Sequence, residues 1–96
     1  MIYITAIVKT KSAYLDEVKL VLENMVIQTR KEEACLQYDL HQGIEDKNQF
    51  VFYEIWKDEE GLNIHNKQTH IQEFISLPSA YFQEKPLVIL TQKIEK

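Results

Sequence analysis

Two segments of this 96-residue chain are apolar on both of their faces. In residues 49–57, Gln-Phe-Val-Phe-Tyr-Glu-Ile-Trp-Lys, Phe50 and Phe52 point one way while Val51, Tyr53 and Ile55 point the other. In the run Leu87-Val88-Ile89-Leu90, Leu87 and Ile89 oppose Val88 and Leu90. Aromatic and β-branched residues at this density favour strands. An antiparallel sheet with one wet face carries a polar alternate row. These two strands do not. The helical segments described next can cover one face only, and a second bare apolar face is too large for a solvated monomer. A second copy of the chain is therefore expected to cover it, giving a face-to-face homodimer.

The remaining elements follow from changes of period. Residues 2–9 alternate as a strand, with Ile2, Ile4, Ala6 and Val8 on one side and Tyr3, Thr5 and Ile7 on the other. Ser12 offers an N-cap oxygen. A long helix is expected over 13–31, because Leu15, Val18, Leu22, Met25, Val26 and Thr29 recur at helical spacing. Period two returns at 35–42, with Leu36, Tyr38 and Leu40 inward and Gln37, Asp39 and His41 outward. Residues 43–48 (GIEDKN) read as a turn. Asp58 can cap a short helix over 59–66. Thr69 can cap another over 70–76, with Gln72 placed to close a capping box. Pro86 opens the last strand, where its missing N–H costs little. The order β-α-β-β-α-β predicts one α+β domain, residues 1–96, of the ferredoxin-like split type: a four-stranded antiparallel sheet with helices on one face.

Composition removes several classes of function. The net charge is −4, from 15 acidic and 11 basic side chains. A phosphate backbone needs a basic face and anionic lipid needs basic clusters; no nucleic-acid or membrane partner is expected. No apolar run approaches ~18 residues, so no transmembrane helix is expected. Met1-Ile2-Tyr3-Ile4 enters apolar alternation directly, without the basic and apolar regions of a signal peptide. The single Cys35 forms no internal disulfide, which fits a reducing cytoplasm. With no basic neighbour in sequence it reads as an inert thiol. Gly-rich phosphate loops, a dinucleotide fingerprint, a serine nucleophile elbow and a zinc-protease helix are all absent from the sequence.

A few residues could carry chemistry. His65 lies three residues after Leu62, on one helical face that must look inward. It reads either as a hydrogen-bonded core histidine or as a group that binds or moves a proton near neutral pH. His70 reads first as a first-turn residue of the next helix, reachable by water. The five-residue gap between them is not the spacing of a one-helix metal pair, and no carboxylate has a diagnostic spacing to complete a zinc site. Glu54 is out of place in the row of Phe50, Phe52 and Trp56: it either pairs with a cation at the sheet rim or lines a cavity. Trp56, the only tryptophan, is either core packing or a ligand platform, and its N–H needs a partner if buried.

Three stretches resemble the antibiotic biosynthesis monooxygenase family. They are Glu33-Ala34-Cys35-Leu36-Gln37-Tyr38, then Phe52-Tyr53-Glu54-Ile55-Trp56-Lys57-Asp58, then His65 and His70 followed by Phe74. The resemblance runs from Met1 to about Thr91. It is nearest to the small quinol monooxygenases and to the autoinducer-2 processing enzymes that share the histidine pair. It implies a dimeric α+β barrel with a cavity in each subunit between sheet and helices. It also implies oxidation of a small quinol or polyphenol by O2 with no flavin, haem or metal, the deprotonated substrate donating the electrons. On that pattern His65 is the proton acceptor or oxyanion partner. Trp56, Phe52 and Tyr81 line the pocket, and Glu54 or His70 orients the base. Ala34 stands where many members carry Gly. The first-strand asparagine of haem-degrading relatives is absent, replaced in that region by Ala6, Ile7 and Val8, and their axial histidine falls near Ile75; haem degradation is not expected. The alternatives are an isomerase or degrading enzyme for a small hydroxyketone signal, and a non-catalytic dimeric ligand-binding stress module.

Overall fold

The computed structural model describes residues 1–95. Its elements are β1 (Ile2–Lys9), α1 (Leu15–Thr29), β2 (Cys35–Gln42), β3 (Gln49–Trp56), α2 (Glu59–Asn66), α3 (Thr69–Ile75) and β4 (Leu87–Thr91), with single 3-10 turns at Ser12–Tyr14 and Ser79–Tyr81. The strands form one sheet in the order β2-β3-β1-β4, and every neighbouring pair is antiparallel. This is the expected ferredoxin-like α+β arrangement, with the second helical unit split into α2 and α3.

The inner face of the sheet carries the core. Ile4, Ala6 and Val8 of β1, Tyr38 of β2, and Phe50, Phe52 and Trp56 of β3 pack against Val18, Leu22 and Met25 of α1, Leu62 of α2 and Ile71 of α3. Burying each larger aliphatic or aromatic side chain stabilises the fold by about 1.5–3 kcal/mol. The outer face holds Tyr3, Thr5 and Ile7 in register with Val51, Tyr53 and Ile55 on one side, and with Leu87, Ile89 and Thr91 on the other. No helix covers it: Tyr53 is 48% exposed and Leu87 53%. The bare apolar row anticipated from the sequence is thus present. Strand β4 adds a second feature. Val88 and Leu90 lie on the inner face, yet both remain more than half exposed, because β4 is an edge strand beyond the reach of the helices.

Several local expectations need correction. The long helix starts at Leu15 rather than 13, after a 3-10 turn, and Ser12 is not its cap. The Ser12 hydroxyl instead accepts from Asn48 Nδ2 at 2.8 Å. Thr69 is the first residue of α3, not its cap; Gln68 precedes it and makes no side-chain cap bond. No capping box closes, and Gln72 Nε2 donates to the Asn66 carbonyl at 2.9 Å. Leu36 does not face inward. The register slips between Cys35 and Gln37, and this irregularity leaves Leu36 54% exposed. Asp58 does cap α2, its Oδ1 accepting from Gly61 N at 2.8 Å.

Candidate active site

Strand β3 delivers two polar groups into an apolar layer. Its inner row is Phe50, Phe52, Glu54 and Trp56, and all four are buried. Trp56 is completely buried, and its indole N–H needs a partner there. That partner is Glu54: Trp56 Nε1 donates to Glu54 Oε1 at 2.9 Å. Burial pushes the Glu54 carboxyl up to about 7, and the bond from Trp56 only partly opposes this. Among the described residues no cation pairs with Glu54, which faces a cavity.

Helix α2 supplies the facing group. The Asp58 cap fixes its start, and Gly61, Leu62 and His65 form its buried side. Gly61 is required by a close approach: a Cβ there would lie 2.1 Å from Cβ of Ala34. The close seat presses the His65 ring onto Trp56, centroids 4.3 Å apart, and edge-on to Tyr38 at 5.7 Å. Helix α3 then turns His70 and Ile71 inward.

Both histidines converge on one carboxylate oxygen. His65 Nδ1 lies 2.8 Å from Glu32 Oε2, and His70 Nε2 lies 3.0 Å from the same atom. A carboxylate only accepts, so each ring places its N–H on the bonded nitrogen. Burial pulls the His65 pKa below its ordinary value of 6.5, and the Glu32 charge only partly offsets this. At neutral pH His65 is therefore a neutral imidazole that donates from Nδ1 and keeps Nε2 as an acceptor. Glu32, His65 and His70 are also the residues that could hold a metal ion, with their ligand atoms within 4.8 Å of one another.

A cavity of about 250 Å³ lies between sheet and helices. His65, Glu54, Tyr38 and Asn66 give it polar points, and Phe52, Met25, Ile71 and Phe74 give it apolar walls. Val88 and Leu90 of β4 close one side. Its size suits a compact molecule of one or two rings rather than an extended one. A second, outer groove of about 430 Å³ is lined by Glu32, Glu33, Lys57, Asp58 and Glu60. Its charged walls suit water better than an apolar substrate. The Glu32–His65 bond joins the two spaces.

The structure thus brings together His65, Glu54 and Phe52 on the cavity wall. Trp56 sits behind that wall, holding Glu54 and flanking His65. His70 is only 9% exposed, so the expectation that water reaches it is corrected: α3 begins early enough to turn this residue inward onto Glu32. Tyr81 is not at the cavity. It stacks on Tyr14 with centroids 4.0 Å apart, and its hydroxyl donates to Glu17 Oε1 at 3.3 Å. The backbone explains this, since Lys11 N donates to the Tyr81 carbonyl at 2.9 Å and ties the turn beside the end of β1. The Cys35 thiol is pushed up to about 11, mainly by burial and then by Glu32 and Glu54, and stays protonated.

Glu32 is the residue that sequence reasoning missed. It stands in the charged run Lys31-Glu32-Glu33 and looks wet, yet its side chain is only 12% exposed. Its partners are 33 and 38 residues away, a spacing with no local period. Tyr38 is inward by its strand period, and the structure places it on the cavity wall as well.

The antibiotic biosynthesis monooxygenase family matches residues 1–77. A Bacillus subtilis protein named "Putative monooxygenase YcnE" is 36% identical over 76 residues, spanning 79% of this chain and 80% of the relative. A crystal structure described as an antibiotic biosynthesis monooxygenase superposes with a TM-score of 0.92 at 30% identity, covering 99% of this chain and all of the other. The Pseudomonas aeruginosa protein PA3566 superposes at 0.91 with 26% identity, covering 98% of this chain and 94% of that one. The matched span contains every residue of the His65 cavity except the β4 wall and Pro86. The chain belongs to the antibiotic biosynthesis monooxygenase family.

Proposed function

We propose that this protein is a cytoplasmic, homodimeric monooxygenase that oxidises a small quinol or polyphenol with O2 and no cofactor, acting as a single domain over residues 1–96. The observation that carries the reading is His65. It is a neutral imidazole with Nδ1 held by Glu32, on the wall of an apolar cavity that also holds Glu54.

The chemistry follows from that placement. His65 Nε2 accepts the proton of a ring hydroxyl. The apolar walls keep water from competing for that proton and for the resulting anion. The quinolate ring is electron-rich and reduces O2. One oxygen atom replaces a ring hydrogen and the other leaves as water. The ring ends as a hydroxylated quinone, so the substrate supplies all four electrons. Glu54, its carboxyl raised to about 7 by burial, retains protonated carboxyl near neutral pH and can donate a hydrogen bond to a developing ring oxyanion. The face-to-face dimer is supported by the apolar outer rows of β1, β3 and β4.

Oxygen uptake with a chemically reduced naphthoquinol tests this reading. Uptake by the protein alone, with a hydroxylated quinone as product, is expected. Activity only on a small hydroxyketone would favour an isomerase or degrading enzyme. Tight binding of either ligand without turnover would favour a binding module.

A further inference from the structure

The hydrogen bonds within the Glu32 cluster do not exhaust its donor atoms. Oε2 of Glu32 takes both histidines, while Oε1 is buried and has no partner. An orphaned buried carboxylate oxygen is costly, and native structures tolerate few. A cation is one group that would satisfy that oxygen.

The donor set fits one class of cation. Two imidazole nitrogens and a carboxylate, with one position left for water, suit a borderline divalent ion such as Zn2+. Ligands bound to zinc at about 2.1 Å stand roughly 3.4 Å apart in a tetrahedron. Here the two nitrogens lie 2.8 and 3.0 Å from Oε2, and all the ligand atoms lie within 4.8 Å of one another, so the spacing is near what a shared ion requires. An entry path exists as well. Glu32 borders the outer groove, where Glu33, Asp58 and Glu60 stand against the single cation Lys57. Such an acidic mouth raises the local concentration of cations.

We infer that Glu32, His65 and His70 form a reversible Zn2+ site, with the Glu32 carboxylate, Nδ1 of His65 and Nε2 of His70 as ligands and water in the fourth position. Zinc on Nδ1 obliges the neutral His65 ring to carry its proton on Nε2. That is the nitrogen the proposed reaction uses as an acceptor. The ion therefore converts His65 from acceptor to donor and stops turnover. This consequence rests on the monooxygenase reading; the binding itself does not.

Calorimetric titration of the metal-stripped, full-length protein with Zn2+ at neutral pH tests the site. One equivalent per chain is expected. Glu32→Gln and His70→Ala should each weaken it by about tenfold or more, while His41→Ala, at an exposed histidine on β2, should leave it unchanged. Thermal unfolding in chelator checks that each variant is folded. Should His70→Ala not fold, the decision passes to Glu32→Gln, for which Zn2+ should no longer raise the melting temperature as it does in the parent. No uptake by the parent chain overturns the inference. So does uptake that survives Glu32→Gln and His70→Ala, the mark of an adventitious surface ion. Zinc that binds in the cluster yet leaves oxygen uptake untouched keeps the site and removes His65 from the proposed reaction.

Discussion

Trp56 and Glu54 form a closed polar pair inside an apolar layer: Nε1 of the indole donates to Oε1 of the carboxyl at 2.9 Å, two residues apart on one strand face. The pair gives the stability of the protein a specific pH dependence. Burial raises the Glu54 pKa from 4.5 to about 7, so between those values the folded chain holds a proton that the unfolded chain releases. The contribution is therefore fully present below 4.5 and is lost as pH rises through 7. Its upper bound is roughly 3 kcal/mol. His65 acts in the opposite sense. Its folded pKa is depressed, so acidification below 6.5 favours the unfolded chain. Urea unfolding from pH 5 to 8 should show that Glu54→Gln removes a loss of stability with rising pH. An unchanged slope in Glu54→Gln would mean the carboxyl is not raised.

Gly61 lets α2 seat against the start of β2. A Cβ at this position would lie 2.1 Å from Cβ of Ala34. Gly61→Ala should destabilise by about 1–3 kcal/mol through overpacking. Adding Ala34→Gly should restore part of the loss, because it removes the atom that clashes. The resemblance noted Ala34 where many relatives carry Gly, and the structure shows what that methyl group meets. Denaturant midpoints of the two single variants and the double variant measure the coupling.

The outer sheet face predicts an assembly. Sedimentation at micromolar concentration should give about twice the 11.4 kDa chain mass. Ile7 stands in the middle of that face, in register with Val51 and Leu87. Ile7→Glu should shift the protein to monomer by placing a charge in the interface. A parent chain that sediments as a monomer would contradict the face-to-face arrangement.

Much of this architecture was legible because period and composition agree. The alternation in 49–57 placed Phe50, Phe52, Glu54 and Trp56 on one face, and the three-residue step from Leu62 placed His65 inward. The split of the second helical unit near Thr69 was also readable, although the residue preceding α3 was not. What escaped the sequence depends on contacts far apart in the chain. Glu32 is silent among charged neighbours until the fold brings α2 and α3 over it. Tyr81, which the family resemblance put in the pocket, is held away from it by the backbone bond from Lys11 N to its carbonyl. Leu36 broke the alternation because a register slip is invisible to a period-two reading.

His70 separates positioning from acid–base duty. It touches Glu32 but does not line the cavity. His70→Ala in chelator should lower kcat less than His65→Ala does, while KM stays close to that of the parent. A His70→Ala variant as impaired as His65→Ala would place the proton acceptor on the wrong ring.

The central claim is that His65 takes the substrate proton within the cavity. Oxygen consumption by metal-free protein with a reduced naphthoquinol, compared between the parent and His65→Ala, tests it most directly. A positioned histidine contributes about 10²–10⁴-fold to proton transfer. The account predicts cofactor-free uptake by the parent chain and a loss in that range for a folded, dimeric His65→Ala. Uptake that survives His65→Ala within a few-fold, with only the melting temperature lowered, would contradict it and leave His65 as a core residue held by Glu32.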